Sequence, residues 1–156
     1  DKLLDEFDAM KMIEGQALET DLSSRLICIE DCINQIENQA AGMMGCYQEK
    51  LRERINSLTN GVVEIDPVRI AQECALLADR CDISEEIIRA KSHLAQFRQI
   101  MGAPSPSGRP LNFLLQEFNR EFNTMGSKAG KVLISHIVVS AKTELEKLRE
   151  QIQNVE

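Results

Sequence analysis

The chain of 156 residues carries a formal net charge of −7, is 43% hydrophobic and contains only 4 prolines and 8 glycines. This composition excludes a collagen-like, disordered or low-complexity chain, and the scarcity of turn residues argues against a sandwich or barrel of many strands. No apolar run approaches the roughly 18 residues of a membrane span, so no membrane partner is expected. The chain lacks an initiator Met and a signal-peptide pattern, which predicts a fragment or a processed form.

The first stretch of the chain has one long helical pattern. Its apolar residues step by three or four positions: Leu22, Leu26, Ile29, Ile33, Ile36, Ala40, Met43, Tyr47 and Leu51. A continuous helix over about residues 2 to 58 would span roughly 85 Å at about 1.5 Å per residue, which is too long for a compact domain of this size. We therefore predict a long projecting helix over residues 1–61, with Gly42 and Gly45 as candidate bends.

Shorter helices are predicted over residues 62–156. An extended link follows Gly61, and Asp66-Pro67 then begins a helix to about Ala78. Ser84 is a candidate N-cap for the next helix, which is expected to reach about Met101. A loop rich in Pro, Gly and Ser follows it.

Two more helices are predicted after this loop. Pro110 begins the first of them, and Gly126-Ser127 is expected to break or bend the path. The last helix repeats the seam of the first: Ile134, Val138, Ala141, Leu145, Leu148, Ile152 and Val155. Two seams in one chain predict antiparallel hairpin packing, an oligomer, or both. The predicted fold class is all-α, a long helical hairpin of coiled-coil-like helices with a small helical catalytic bundle.

The helix that begins at Pro110 carries the strongest signal for a functional site. Glu117 and Glu121 lie one turn apart on a face that avoids the Leu and Phe stripe, where two like charges cost a few tenths of a kcal/mol. A divalent metal would offset this repulsion, and so would a solvated salt-bridge face with Arg120 and Lys128, the more frequent arrangement. Phe113 also lies off the stripe, which indicates a platform for a base or a packing contact with another helix.

Charge and histidine placement add a second signal. Residues 85–142 hold eight Lys and Arg against four Asp and Glu, in a chain that is otherwise acidic. This asymmetry favours a local polyanion site over general nucleic-acid binding, although surface scatter explains it equally well. Glu86, Arg89 and His93 share one helix face. A lone His is more often a capped or surface residue than a catalytic one. Five cysteines without a CxxC pair predict reduced thiols in a cytoplasmic protein.

These motifs resemble the signature of the YicC/YloC family. The matching segments are the run GRPLNFLLQEFNREFNTMGSK from Gly108 to Lys128, Asp66-Pro67 with Arg69, Asp82 to Glu86, Arg89 with His93, and Arg149 to Glu156. The resemblance covers essentially the whole chain and is most specific from Asp66 onward. Pro110 and Asn112 depart from the family pattern, which has Arg and Asp there. Members are bacterial, metal-dependent endoribonucleases with a further N-terminal domain, and they assemble as oligomers, reportedly hexamers.

The resemblance implies hydrolysis of RNA phosphodiester bonds that depends on a divalent cation, manganese or magnesium. The expected metal ligands are Glu117 and Glu121, with Glu86 and Glu73 contributing from other helices. The expected catalytic residues are Glu117, Glu121 and His93, with His93 as a general acid. RNA is expected to contact Arg89, Arg109, Phe113, Arg120 and Lys128.

Two alternatives stay open. One is metal-free attack by the ribose 2′-hydroxyl, with His93 as acid or base. The other is a non-catalytic helical scaffold that oligomerises and binds RNA or a protein partner. In either case the expected partners are RNA and further copies of the chain, without DNA, and the expected location is cytoplasmic.

Overall fold

The computed structural model describes residues 2–59, 66–103 and 108–153, and within these ranges the regular structure is helical, without strands. The described helices are α1 (Lys2–Ala41), α2 (Met43–Thr59), α3 (Pro67–Cys81), α4 (Ser84–Met101), α5 (Gly108–Ala129) and α6 (Val132–Gln153). The predicted all-α class is confirmed. The link predicted over residues 62–65 lies outside the described residues, as do most of the Pro-rich loop and Val155.

Four of the helices form a bundle. α1 and α5 each pack against both α4 and α6. The ion pairs Glu30–Arg98 and Glu37–Lys91 show that α4 runs antiparallel to α1, because residue numbers rise along one helix as they fall along the other. Two contacts in each of the other three neighbouring pairs, α1 with α6, α4 with α5 and α5 with α6, show the same reversal. The bundle therefore alternates in direction, as in an up-down four-helix bundle, while α2 and α3 pack mainly on each other.

The two predicted seams supply much of the bundle core. Burial is confirmed for Leu22, Leu26, Ile29, Ile33, Ile36, Met43, Ile134, Val138, Ala141, Leu145, Leu148 and Ile152. Tyr47 was expected to continue the first seam but is exposed, because α2 has left the bundle. Phe97, Phe118 and Phe122 fill the centre. No described helix has the length and apolar character needed to cross a bilayer.

The long first helix is interrupted. α1 ends at Ala41, and α2 begins at Met43 after a turn at Gly42. The candidate bend at Gly42 is therefore confirmed, whereas Gly45 lies within α2. At 40 residues, α1 still spans about 60 Å. From Leu22 onward it is seated in the bundle, whereas most described side chains before Leu18 are exposed. The first half of α1 is therefore the part of this helix that extends beyond the bundle, and the division of the chain at residue 61 stays a prediction.

The break after α5 falls later than expected. α5 continues through Gly126-Ser127 because Gly126 lies against Val138 of α6, where a helical backbone fits. The chain turns instead at Gly130, whose φ of 56° is a left-handed conformation that glycine adopts without steric cost. α5 therefore extends unbroken from Gly108 to Ala129.

The helix starts follow local side-chain chemistry. Asp66 caps α3, its Oδ1 accepting a hydrogen bond of 2.9 Å from the amide of Val68. The expected cap of α4 by Ser84 is wrong, since Ser84 is already the first helical residue. The carboxylate of Asp82 accepts the Ser84 amide at 2.9 Å instead. This start places Glu85 and Glu86 in the first turn of α4, where the helix dipole favours acidic side chains.

Candidate functional site

The polar seam between α4 and α5 is the candidate functional site. We define it by Glu86, Arg89 and His93 of α4 and by Glu121 and Lys128 of α5. Glu86 and Glu121 are 3% and 7% exposed and are the only fully buried charged residues in the described chain. The solvated salt-bridge face, one of the two arrangements that the spacing left open, does not hold for Glu121, because α4 covers that edge of α5. A buried carboxylate requires a partner, since an isolated charge is costly away from water.

Arg89 supplies that partner for Glu121. Its Nε donates to Oε1 at 2.8 Å and its Nη2 to Oε2 at 3.0 Å, so the contact is a two-pronged guanidinium–carboxylate pair. Arg89 also donates to Glu85 and lies 3.5 Å from Oε1 of Glu86. The hydrogen bond to Glu121 and the surrounding carboxylates raise the pKa of Arg89 above its ordinary value. The guanidinium is thus fixed in direction while its side chain stays 40% exposed.

Lys128 holds the other buried carboxylate. Its Nζ lies 2.8 Å from Oε1 of Glu86 and donates to the carbonyl oxygen of Asp82 at 3.2 Å. Burial by itself raises the pKa of Glu86. The Lys128 hydrogen bond, a backbone hydrogen bond and the charges of Lys128 and Arg89 outweigh it and hold the pKa below its usual range. Oε2 of Glu86 is buried and has no hydrogen-bond partner among the described residues.

The lowered pKa of Glu86 predicts a loss of stability in acid. The folded state favours the charged carboxylate, so its contribution is present above the unfolded pKa of about 4.3 and is lost as pH falls through the lower folded value. We expect the thermal midpoint of the wild type to fall more steeply between about pH 5 and 3 than that of Glu86→Gln. Calorimetry across this range measures the difference. Parallel curves for the two proteins would contradict the prediction.

His93 lies one turn beyond Arg89 on the same edge of α4. Its ring is half-buried and meets the Phe118 ring edge-on, with centroids 5.8 Å apart. Neither ring nitrogen has a hydrogen-bond partner among the described residues, although both are hidden from solvent. An unsatisfied buried donor or acceptor costs about 1–3 kcal/mol. The fold therefore keeps an uncommitted imidazole in the seam beside its ion pairs.

The outer face of α5 carries the other predicted RNA contacts. We call Arg109, Phe113 and Arg120 the α5 face; all three are exposed, and Phe113 is 61% exposed. Phe113 is therefore not a packing residue within the described bundle. Glu117 lies between this face and the seam, and one of its oxygens accepts from Nη1 of Arg120 at 2.8 Å. The predicted ion pair of Glu117 with Arg120 is confirmed.

The predicted metal ligands do not come together as a set. Glu73 is exposed on α3, and no ion pair in the described chain joins it to the seam. Nowhere in residues 2–59, 66–103 and 108–153 do three or more His, Cys, Asp or Glu side chains form a group that could hold a metal ion. Arg89 and Lys128 already neutralise the carboxylates of Glu121 and Glu86. The residues described here therefore do not fit a complete metal site, and the metal assignment stays a prediction.

Sequence reasoning missed Asn119. Its Oδ1 is buried and accepts no hydrogen bond from the described residues. Asn119 lines a pocket between α5 and α6 together with Asn112 and Gln116. The signal was available, because positions 112, 116 and 119 are spaced by four and three and place three amides on one helix face.

Comparison with known proteins agrees with the resemblance. Residues 36–156 match the family model described as "Endoribonuclease YicC-like, C-terminal". The chain is 43% identical over 147 residues to the "Probable endoribonuclease YicC" of Clostridioides difficile (strain 630), covering 94% of the chain and 50% of that relative. It is 35% identical over 156 residues to the protein of the same name from Haemophilus influenzae, covering 100% of the chain and 53% of that relative. The chain therefore spans about half the length of the curated relatives it matches.

Proposed function

The chain belongs to the YicC-like endoribonuclease family, whose C-terminal model it matches. On that premise we propose that it takes part in endonucleolytic cleavage of RNA. Both relatives are named as probable endoribonucleases, and the family model matches most of the chain. The whole enzyme's activity is the proposal here, because each relative is about twice as long as the matched part. The structural observation that carries the proposal is an uncommitted imidazole beside a fixed guanidinium, next to an exposed Arg–Phe–Arg face.

The α5 face would bind single-stranded RNA. Arg109 and Arg120 offer guanidinium groups to phosphate oxygens, and Phe113 between them offers a ring on which a base can stack. Base stacking on an aromatic ring is tolerant of sequence, which suits a nuclease with several sites. Arg89 and Lys128 are expected to contribute less to binding than the two arginines of the face, because their charges already serve Glu121 and Glu86.

Cleavage would take place where the seam meets this face. In hydrolysis, a water oxygen forms a new bond to phosphorus and the water gives up one proton to solvent, while the bond from phosphorus to one ribose oxygen breaks and the departing oxygen takes a proton. His93 is the proposed donor of that proton once RNA reaches the ring, and Arg89 would stabilise negative charge on the non-bridging oxygens. Glu121 would act by positioning Arg89, whereas Glu117 lies where it could reach substrate directly.

Two related proposals concern cofactor and chemistry. We retain a divalent cation, manganese or magnesium, as the proposed cofactor; it would supply charge neutralisation at the phosphate. Since the described carboxylates do not form a complete site, no step of the proposed cleavage is assigned to this ion. Metal-free attack by the ribose 2′-hydroxyl, with His93 as acid or base, is the alternative. It requires only groups that the seam provides.

A non-catalytic scaffold is the second candidate function. One observation favours it: the ion pairs Arg89–Glu121 and Lys128–Glu86 join α4 to α5, and this structural role is sufficient reason for their presence. A scaffold of this kind would bind RNA through the α5 face without cutting it. Binding and cleavage must therefore be measured separately.

Binding through the α5 face predicts a change in salt dependence. We expect Arg109→Ala with Arg120→Ala to weaken binding of a short single-stranded RNA and to lower the slope of log affinity against log salt by about 0.7 for each phosphate that the variant no longer neutralises. Phe113→Ala should weaken binding without changing that slope, since stacking releases no counterions. Fluorescence anisotropy over a salt series measures both. Unchanged affinity and slope in the double variant would remove RNA binding from this face.

Self-association is also proposed. The first half of α1 exposes Phe7, Met10, Met12 and Ile13, each more than half accessible. Phe7, Met10 and Ile13 lie three residues apart and so share one helix face, and exposed apolar side chains grouped in this way mark interaction sites in soluble proteins. We expect light scattering at micromolar concentration to give a mass well above the 17.6 kDa of one chain. A monomer mass would contradict this, and Phe7→Asp with Ile13→Asp should produce that mass if the helix is the interface.

A cytoplasmic location is the last proposal of this group. The five cysteines are all free, with two of them exposed, Cys28 and Cys46. Free thiols persist in a reducing compartment and tend to be oxidised outside it. Cell fractionation would measure this directly, and recovery outside the cytoplasmic fraction would contradict it.

A further inference from the structure

The groove between α5 and α6 contains a polar pocket that neither the seam nor the α5 face uses. Its volume is about 320 Å³, at the lower end of the roughly 300–1,000 Å³ of small-molecule sites. Leu115 and Leu145 form part of its lining. The polar lining comes from Asn112, Gln116 and Asn119 of α5 and from Glu146, Arg149 and Gln153 of α6. Asn112 and Asn119 are half-buried between the two helices, where bundle side chains are usually apolar, whereas the other four polar residues are exposed at the pocket rim.

The polar groups of the pocket make few strong hydrogen bonds or ion pairs within the described chain. Asn119 has a buried Oδ1 that accepts no hydrogen bond within the described chain. Arg149 approaches Glu146 only to 3.8 Å, and both side chains are more than half exposed, so this contact is weak. A pocket with unused amide donors and acceptors leaves their hydrogen-bonding capacity to a ligand. The buried Oδ1 of Asn119 is unsatisfied in the free protein, at a cost of about 1–3 kcal/mol that a ligand donating a hydrogen bond to it would relieve.

The pocket lies beside the surface proposed to bind RNA. Gln116 is exposed, lines the pocket, and lies three residues after Phe113 and four before Arg120 on the same helix. Residues at these spacings are neighbours on a helix surface. A strand held by the two arginines of the α5 face would therefore pass the mouth of the pocket.

We propose that the α5–α6 pocket binds one unpaired base of RNA and gives the protein a preference among the four bases; this rests on the proposed function. Asn and Gln amides recognise a base by paired hydrogen bonds to its edge, and adenine is the base that such a pair fits best. Specific recognition of RNA relies on single-stranded bases that can leave the stack and enter such a site. Phe113 would stack a neighbouring base, and Arg149 would approach the sugar–phosphate backbone at the pocket rim.

The test measures, by fluorescence anisotropy, the affinity of the full-length natural protein for four labelled oligoribonucleotides. Each oligoribonucleotide contains only one of the four bases. We expect the wild type to prefer the adenine oligomer by roughly tenfold, since a good bidentate contact gives about that discrimination. Asn119→Leu, close in size, and Gln116→Leu, at an exposed position, should each reduce the preference while leaving the salt slope unchanged. Arg120→Ala should do the reverse. Gln96→Leu, which removes an exposed amide of α4 outside the pocket, should change neither.

Each outcome bears on the proposal. A uniform affinity of the wild type for all four oligomers, or a preference that survives in both pocket variants, would overturn the base pocket while leaving the proposed function intact. Absence of RNA binding and of cleavage by the wild type would overturn both. Thermal midpoints check that the variants fold. If Asn119→Leu fails to fold, Gln116→Leu still decides the question, because its side chain is exposed.

Discussion

Glu121→Gln is expected to lower the rate of RNA cleavage about 100-fold or more, a loss typical of removing one preorganised charged group from an active site. The neutral amide keeps the size of Glu121 and its helix propensity. It offers one acceptor oxygen where the carboxylate offers two, so the two bonds from Arg89, of 2.8 and 3.0 Å, cannot both persist. Arg89 would then turn toward the exposed Glu85 and away from the site. Glu117→Gln should also reduce cleavage, and the double variant should lose it nearly completely.

Stability separates the roles of the two carboxylates. Glu121 is buried against α4, so its replacement should lower the thermal midpoint. Among the described residues Glu117 pairs only with Arg120, whose side chain is 73% exposed, so its replacement should change the midpoint little. A solvated salt-bridge face predicts instead that both substitutions lower stability only slightly and leave cleavage intact. Calorimetry of the single variants measures the difference.

A metal titration separates ligation from positioning. If Glu117 or Glu121 binds manganese or magnesium, the variants should need more of the ion for half-maximal cleavage. If Glu121 only positions Arg89, Arg89→Lys should reproduce the loss of Glu121→Gln without shifting the metal requirement, because lysine cannot form the fork. Glu37→Gln, which breaks the exposed pair with Lys91 on the far side of α4, is the matched control. Full cleavage by the double Gln variant, with either ion supplied, would refute both roles.

The helices themselves were predictable because their signals are local. Apolar spacings of three and four along α1 and α6 predict that one face of each helix is buried, without indicating which helix packs against it. The start of α3 was readable for the same reason: Asp66 and Pro67 act within a single turn. The positions of the breaks depended on neighbours. Gly126 stays helical since it rests on Val138, and Gly130 turns because no helix contact restrains it.

The site was predictable as a set of residues but not as an arrangement. A wheel of α5 alone places Glu121 at the margin of the apolar stripe, where either water or another helix can lie. Only the antiparallel packing of α4 decides the matter, by bringing Arg89 opposite Glu121. Asn119 was overlooked for a related reason: its significance comes from the pocket it shares with Arg149 of α6, some 30 positions away in sequence.

His93→Leu is expected to raise the free energy of unfolding by about 1 kcal/mol while lowering cleavage by about 100- to 10,000-fold. The gain in stability follows from the two ring nitrogens, which are hidden from solvent and bond to nothing in the described chain. Leucine removes these unsatisfied groups, and its apolar side chain can lie against the Phe118 ring that His93 now meets at 5.8 Å. The loss of cleavage follows if the imidazole donates the proton to the departing ribose oxygen.

The opposite signs of these two effects make His93 the sharpest test of enzyme against scaffold. A structural His would show a stability change and unaltered cleavage, and that result would transfer the proton-donor role to another group. His136→Leu is the matched control, because His136 is exposed on α6 and should affect neither quantity. His93→Ala with added imidazole extends the test. Partial recovery of cleavage is expected if the ring acts as an acid or base, whereas a packing residue would show no recovery at any imidazole concentration.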